Sequence, residues 1–253
     1  MKIEFWRNAT LVLIVNNTRI LVDPMLGEKG SLGIFPMTDN ELLNPLVDLP
    51  FDNQTLLEKL KKVDAVAVSH LHPDHWDVKA IELLDKNIPV FCSSVIAEQI
   101  SQYGFKNTIP IEEKITWNAI DISLTKGRHG TGEIGEKMGL VNGFIFKSAD
   151  KTTYIVGDSI WCSEVAEAIN TYQPQNIIVA GGAATFNVGD PIIMNTKDII
   201  NTCRYAPKAS VWITHLETVS HCKEDRKFTR KKIKENNLQD QCFILNDGEE
   251  VNI

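Results

Sequence analysis

The chain is predicted to be an α/β protein in which two β-sheets stack face to face with helices on both outer sides. Three observations lead there. Strand-rich stretches at residues 1–25 and 107–157 are each followed by an alternation of strand-like and helix-like segments. At 253 residues with 43% hydrophobic side chains, the chain has enough apolar material for one substantial core. No repeat, low-complexity run or linker divides it, so a single body spanning 1–253 is expected. A sandwich with outer helices is the layering that would bury all the apolar runs.

In order along the chain, IEFW, TLVLIVN and TRILVDP read as short strands separated by Asn-rich turns such as Asn16-Asn17. Residues 26–52 hold three prolines and three glycines without a sustained period, which marks a long irregular loop of the kind that often carries function. Then LLEKLKK is helical, VDAVAVS apolar and bounded, DVKAIELLDK helical, IPVFCS a strand, and SVIAEQISQYG helical. Strands return in TIPI, EKITWNAIDISLTKG, LVNGFIFKSA and TTYIVGD. A second alternation follows through SEVAEAINTYQ, NIIVAGGA, TKDIINTCRYA, ASVWIT and a basic stretch, ending in QCFILNDGEEVNI. In that basic stretch Arg226, Lys227, Arg230, Lys231 and Lys234 recur at helical spacing beside Phe228 and Ile233, which describes a solvated amphipathic helix.

Charge and cysteines narrow the setting. With 26 basic and 33 acidic residues the formal charge is −7, which argues against a broad nucleic-acid-binding face. Five widely spaced cysteines, with no CxxC pair, fit a reducing cytosol better than a disulfide framework. The early apolar run Leu11–Val15 is too short to span a bilayer and lacks a signal-peptide cleavage pattern. A cytoplasmic protein without membrane contact is expected. The anticipated partner is a small-molecule substrate, with a homo-oligomer left open.

The chemistry is concentrated where VDAVAVS ends, in His70-Leu71-His72-Pro73-Asp74-His75-Trp76-Asp77. Three of the six histidines and an aspartate fall within six residues. In extended backbone His70 and His72 point the same way, so both imidazoles can meet one metal ion. Pro73 sets a turn and Asp77 is placed to cap the next helix, which lets Asp74 and His75 face a second ion. A strand's carboxyl end is where α/β folds place their sites.

This HxHxDH motif resembles the signature of the metallo-β-lactamase superfamily of hydrolases, whose αββα sandwich agrees with the element order. The resemblance implies a third histidine, an aspartate and a fourth histidine downstream, each after a strand. His129 in KGRHGTG, Asp158 in VGDS and His215 in WITH stand in that order. By resemblance, His70, His72 and His129 hold one ion, Asp74, His75 and His215 the other, and Asp158 bridges. His221, six residues beyond His215, competes for the last place, with strand-end position favouring His215. Two divalent ions are implied, with zinc best suited to imidazole and carboxylate ligands and manganese or iron also suited. They would make hydroxide available as nucleophile, with Asp74 as the catalytic group that orients it and carries its proton. Asp23 is the leading candidate to orient a ligand, with Ser69 and Thr214 beside ligands.

The opening LVDP, the form HLHPDHWD and the lack of a long insertion resemble the L-ascorbate-6-phosphate lactonase-like branch. That implies cleavage of a small cyclic ester, lactone or phosphoester, with a phosphodiesterase or nuclease as the alternative and a non-hydrolytic redox or metal-binding protein as a third reading. Lys126 and Arg128 are candidates for binding an anionic group. Trp76, Trp161 and Phe186 are candidate pocket walls, and the 26–52 loop a candidate lid or subunit contact.

Overall fold

The computed structural model describes residues 1–149 and 151–253. Strands β1 (Lys2–Arg7), β2 (Thr10–Val15) and β3 (Thr18–Val22) form the opening antiparallel meander, with Asn16 and Asn17 both at positive φ in the turn between the last two. After the long loop come α1 (Asn53–Leu60), β4 (Ala65–Ala67), α2 (Val78–Leu83), β5 (Val90–Ser93), α3 (Ser94–Gln102) and β6 (Thr108–Ile111). The second half contains β7 (Lys114–Trp117), β8 (Ile120–Lys126), α4 (Gly132–Met138), β9 (Asn142–Ser148), β10 (Lys151–Ile155), α5 (Ser163–Tyr172) and β11 (Asn176–Ala180). It ends with α6 (Thr196–Tyr205), β12 (Ser210–Thr214), α7 (Arg226–Glu235), β13 (Cys242–Ile244) and β14 (Glu250–Asn252).

The strands build two seven-stranded mixed sheets, ordered β14-β1-β2-β3-β4-β5-β6 and β13-β12-β11-β10-β9-β8-β7. Period-two alternation decides which side chains meet. Ile3, Phe5, Leu11, Leu13 and Phe91 of the first sheet share one buried cluster with Ile122, Phe144, Phe146, Ile178 and Trp212 of the second. Trp6, Val12, Leu21 and Val66 turn the other way to pack with Leu56, Ala80 and Ile100 of α1–α3. Ile145, Tyr154, Ile177 and Val179 do the same with Val165, Ile199 and Ile233 of α5–α7. Each fully buried aliphatic or aromatic side chain contributes about 1.5–3 kcal/mol of transfer free energy, so all three interfaces stabilise the stack. The four-layer αββα arrangement is the expected one.

Three details differ from expectation. Helix α4 arises between the predicted strands EKITWNAIDISLTKG and LVNGFIFKSA, where Gly132 and Gly135 obscure the helical pattern. The last strand, β14, returns to pair with β1 in the first sheet. The basic segment does form helix α7, but Arg226 at its start bonds Glu217 and Asp247 rather than facing only solvent.

The 26–52 loop is tied down along its base. Buried Arg7 donates to the carbonyls of Met25, Gly27 and Val47 at 2.8–2.9 Å. Buried Asn44 donates to the Gly33 carbonyl and accepts from Ser220 N–H at 2.7 Å. The segment is therefore a stapled wall. No helix among the described residues is long and apolar enough to cross a membrane.

Candidate metal centre and the cavity above it

The site residues lie at the carboxyl ends of strands β4, β8, β10 and β12, from both sheets. After β4, Ser69 and His70 continue the chain and His72 begins a tight turn, with His75 and Trp76 N–H both donating to the His72 carbonyl at 2.9 Å. Asp77 caps α2 as expected, its Oδ1 accepting from Ala80 N–H at 2.7 Å. Beyond β10, Gly157 has φ +72 and a Cβ there would lie 2.5 Å from the Asn142 carbonyl oxygen. Only glycine permits that turn, which delivers Asp158. His215, directly after β12, sits at φ +64 with its N–H donating to the Asn8 carbonyl at 2.9 Å.

The seven residues come together as two groups, His70, His72 and His129 in one and Asp74, His75, Asp158 and His215 in the other. All but His72 are buried. In the first, His70 Nε2 is 3.0 Å and His129 Nε2 3.2 Å from His72 Nδ1. In the second, Asp158 Oδ2 is 3.1 Å from His75 Nε2 and 3.5 Å from His215 Nε2, and His215 Nε2 is 3.2 Å from Asp74 Oδ2. Asp158 Oδ2 also lies 3.9 Å from His129 Nε2, between the groups. His221 belongs to neither.

The outer hydrogen bonds fix which lone pairs point inward. Asp23 accepts from the Ser69 N–H and hydroxyl at 2.7 Å through its two oxygens. The Ser69 oxygen is then free to accept from His70 Nδ1–H at 2.9 Å. His75 Nδ1–H donates to Asp23 at 3.0 Å, and His129 Nδ1–H to the Ile192 carbonyl at 2.8 Å. Each of these three imidazoles therefore presents a bare Nε2 to the centre, the arrangement that orients metal-binding histidines. The His75 lone pair then faces a carboxylate oxygen, and two acceptors at that distance need a cation between them. His75 Nε2 is buried without a hydrogen-bond partner, and so is the other Asp158 oxygen, Oδ1. With metal–nitrogen bonds of about 2.0–2.1 Å, a tetrahedral edge measures about 3.3 Å, close to the observed spacings. The donor set fits divalent ions.

Electrostatics separate the groups. Burial pushes His70 well below the ordinary imidazole range and holds His129 at about 4. Burial also opposes the charged forms in the second group, yet the mutual attraction there outweighs it. Asp158, Asp74 and Asp23 raise His75 to about 10, and His215 is likewise raised. The histidines in turn hold Asp74 and Asp158 well below the usual carboxylate range. The field that favours a proton on His75 and His215 would equally favour a cation between these groups, which marks a place built for positive charge.

Above the two groups lies a cavity of about 240 Å³. Asp74, Asp158, His72 and His129 form its floor, and Phe35, Pro36, Met138, Phe186, Ile192 and His221 its wall. Neither Lys126 nor Arg128 reaches it, and Arg128 instead bonds Glu164 at 2.8 Å. Trp76 packs with Phe105 in the outer core of the first sheet, and Trp161 meets Tyr205 edge to face, so of the three candidate aromatic walls only Phe186 lines the cavity. Thr214 bonds the Val179 carbonyl rather than a ligand. Sequence reasoning missed Asn8, whose side chain donates to the Asp74 carbonyl at 3.1 Å and to its Oδ2 at 3.4 Å. It also missed Cys222, whose thiol lies 3.8 Å from His215 Nδ1. An Asn in a hairpin turn and an isolated Cys carry no signal of such long-range contacts.

Two stacked sheets with a histidine cluster and a His/Asp cluster at their strand ends define a protein of the metallo-β-lactamase fold with a candidate metal centre. A model of the β-lactamase superfamily domain matches residues 18–216, and the chain belongs to the metallo-β-lactamase-fold superfamily of metal-dependent hydrolases. It is 37% identical over 254 residues to UPF0173 protein YddR of Bacillus subtilis, with 98% of each chain covered. Its structure is similar to that of a possible metal-dependent hydrolase from Veillonella parvula DSM 2008, with TM-score 0.95, 35% identity and 100% and 99% of the two chains covered. It is also similar to isothiocyanate hydrolase from Delia radicum gut bacteria, with TM-score 0.93, 31% identity and the same coverage.

Proposed function

We propose that the chain is a dinuclear metal-dependent hydrolase of a small, uncharged carbon electrophile bearing an apolar substituent, of the lactone or isothiocyanate kind. The observation that carries this reading is the cavity itself, polar on its floor, apolar on most of its wall, and lined by no lysine or arginine. A phosphoester would bring a negative charge into a space that already holds Asp74 and Asp158, without a guanidinium or ammonium to receive it. The similarity to an isothiocyanate hydrolase supports a heterocumulene. The LVDP and HLHPDHWD features support a lactone.

His70, His72 and His129 would hold one ion, Asp74, His75 and His215 the other, with Asp158 shared. Bound divalent ions supply Lewis acidity and make hydroxide available near neutral pH. The protein's own part is to orient and to move a proton. Asp74, held by Asn8, accepts the proton of the attacking water on its carboxylate and returns it to the heteroatom that gains electron density. Asp23 and Ser69 keep His70 and His75 in one tautomer. Phe35, Phe186 and Ile192 exclude bulk water around the substituent.

The test is a panel of lactones, isothiocyanates and phosphodiesters assayed after loading with zinc, manganese or iron. Turnover of a carbon electrophile, lost on chelation and recovered with metal, is expected. Preference for phosphodiesters would overturn the substrate reading.

A further inference from the structure

Of the six histidines, His221 alone stands outside both metal-binding groups. It is only 5% exposed, yet its Nδ1 has no hydrogen-bond partner. Its ring is stacked on Phe186 with centroids 5.1 Å apart and planes 9° apart, and meets Phe35 at 5.4 Å. A phenylalanine or leucine would fill that slot without leaving a buried nitrogen unpartnered, so packing alone does not account for an imidazole. The ring lines the same cavity as Asp74, Asp158, His72 and His129.

The backbone holds it there. The His221 carbonyl accepts from Thr185 N–H at 2.9 Å. The preceding Ser220 donates its N–H to Asn44 at 2.7 Å and accepts at its carbonyl from Asn40 at 3.4 Å. The ring is thus fixed from the 26–52 loop on one side and from the segment after β11 on the other, before any ligand arrives. Burial holds its pKa down to about 4, so near neutral pH it is an uncharged imidazole with one N–H to offer.

We propose that His221 is a catalytic residue that donates a hydrogen bond, from its one ring N–H, to the substrate heteroatom on which electron density collects as water attacks. This rests on the reading of the cavity as the site of a neutral carbon electrophile. In a lactone, the water oxygen bonds the carbonyl carbon, the ring C–O bond breaks with its electron pair going to the ring oxygen, and that oxygen takes the water proton through Asp74. In an isothiocyanate, the water oxygen bonds the central carbon, the C=N π pair moves to nitrogen, and the nitrogen takes the proton by the same route. The thiocarbamic acid so formed breaks into amine and carbonyl sulfide. In both, His221 keeps its proton and stabilises the heteroatom as charge builds, which is where an aimed donor has its largest effect.

Metal-loaded full-length His221→Phe and His221→Gln test this. Phenylalanine keeps the stack and removes the donor, whereas glutamine replaces the ring N–H by an amide N–H. The expected result for His221→Phe is wild-type metal content and melting temperature, with kcat lowered about 10²-fold and KM changed little. His221→Gln should recover part of the loss, and across a series of aryl esters the His221→Phe deficit should grow with leaving-group basicity. Unchanged kcat in His221→Phe, or equal loss in both variants with no dependence on the leaving group, would overturn the assignment. Loss of one ion would make His221 a ligand instead. Should the wild type turn over no carbon electrophile, the substrate reading fails separately. Calorimetry with phenylboronic acid then decides His221, with weaker binding in His221→Phe supporting the donor role and equal binding in both proteins overturning it.

Discussion

The floor and the wall of the cavity use the same side chain in opposite ways. In and just beneath the floor, the imidazoles of His70, His75 and His129 each have the outer nitrogen held by Ser69, Asp23 or the Ile192 carbonyl. In the wall, His221 has two aromatic faces and no partner at Nδ1. Partners on one nitrogen specify the other as a ligand, while an imidazole set in apolar surroundings stays neutral and free to meet something transient. Hydrogen bonding, rather than burial, therefore separates the two roles, since His221 is as buried as His70 or His129.

If that contrast is right, removing an outer partner should damage the floor most. Asp23→Ala strips support from His75 directly and from His70 through Ser69, so metal affinity and turnover should each fall about 10–100-fold. Competitive chelator titration measures the first, and unchanged affinity would show that the outer contacts are incidental. The wall should respond differently. Arg7→Met leaves the carbonyls of Met25, Gly27 and Val47 without their donor, at about 1–3 kcal/mol for each one that water cannot reach. Urea unfolding should show the lost stability and KM should rise, while metal content stays as in the wild type. A drop in bound metal would mean that wall and floor are not separable.

The smallest effect concerns acid. His221 has its pKa lowered from 6.5 to about 4 on folding, so between those values the unfolded chain binds the extra proton. Stability contributed by the neutral ring is fully present above pH 6.5 and is lost as pH falls towards 4. The melting temperature of His221→Phe relative to wild type should therefore rise as pH drops from 7 to 5. A difference independent of pH would place the ring in a wetter, more polar setting than the structure shows.

How much of this was legible follows from sequence distance. HLHPDH could be read directly because His70 and His72 lie two apart in sequence just beyond β4 and meet in one group, and Asp77 announced itself as a cap by position. His129, Asp158 and His215 are single residues on separate strand ends, and only a family pattern made a set of them. Asn8 was illegible because its partner Asp74 is 66 residues away. The wall was largely misread. Trp76 and Trp161 are large and adjacent to motifs, but adjacency in sequence put them on the helix side of the sheets. Phe35 lay in a segment whose path depends on Arg7 and Asn44, contacts that no local pattern encodes. Helix α4 was hidden by its glycines, and the pairing of β14 with β1 spans nearly the entire chain.

The central claim, two ions held by seven side chains with Asp158 between them, is tested most directly by elemental analysis of purified wild type, His72→Ala and Asp158→Ala after metal loading. The expected stoichiometry is two ions per chain in wild type, one or fewer in His72→Ala, and fewer than two in Asp158→Ala, each variant folded by circular dichroism. Two ions per chain in both variants would contradict the assignment.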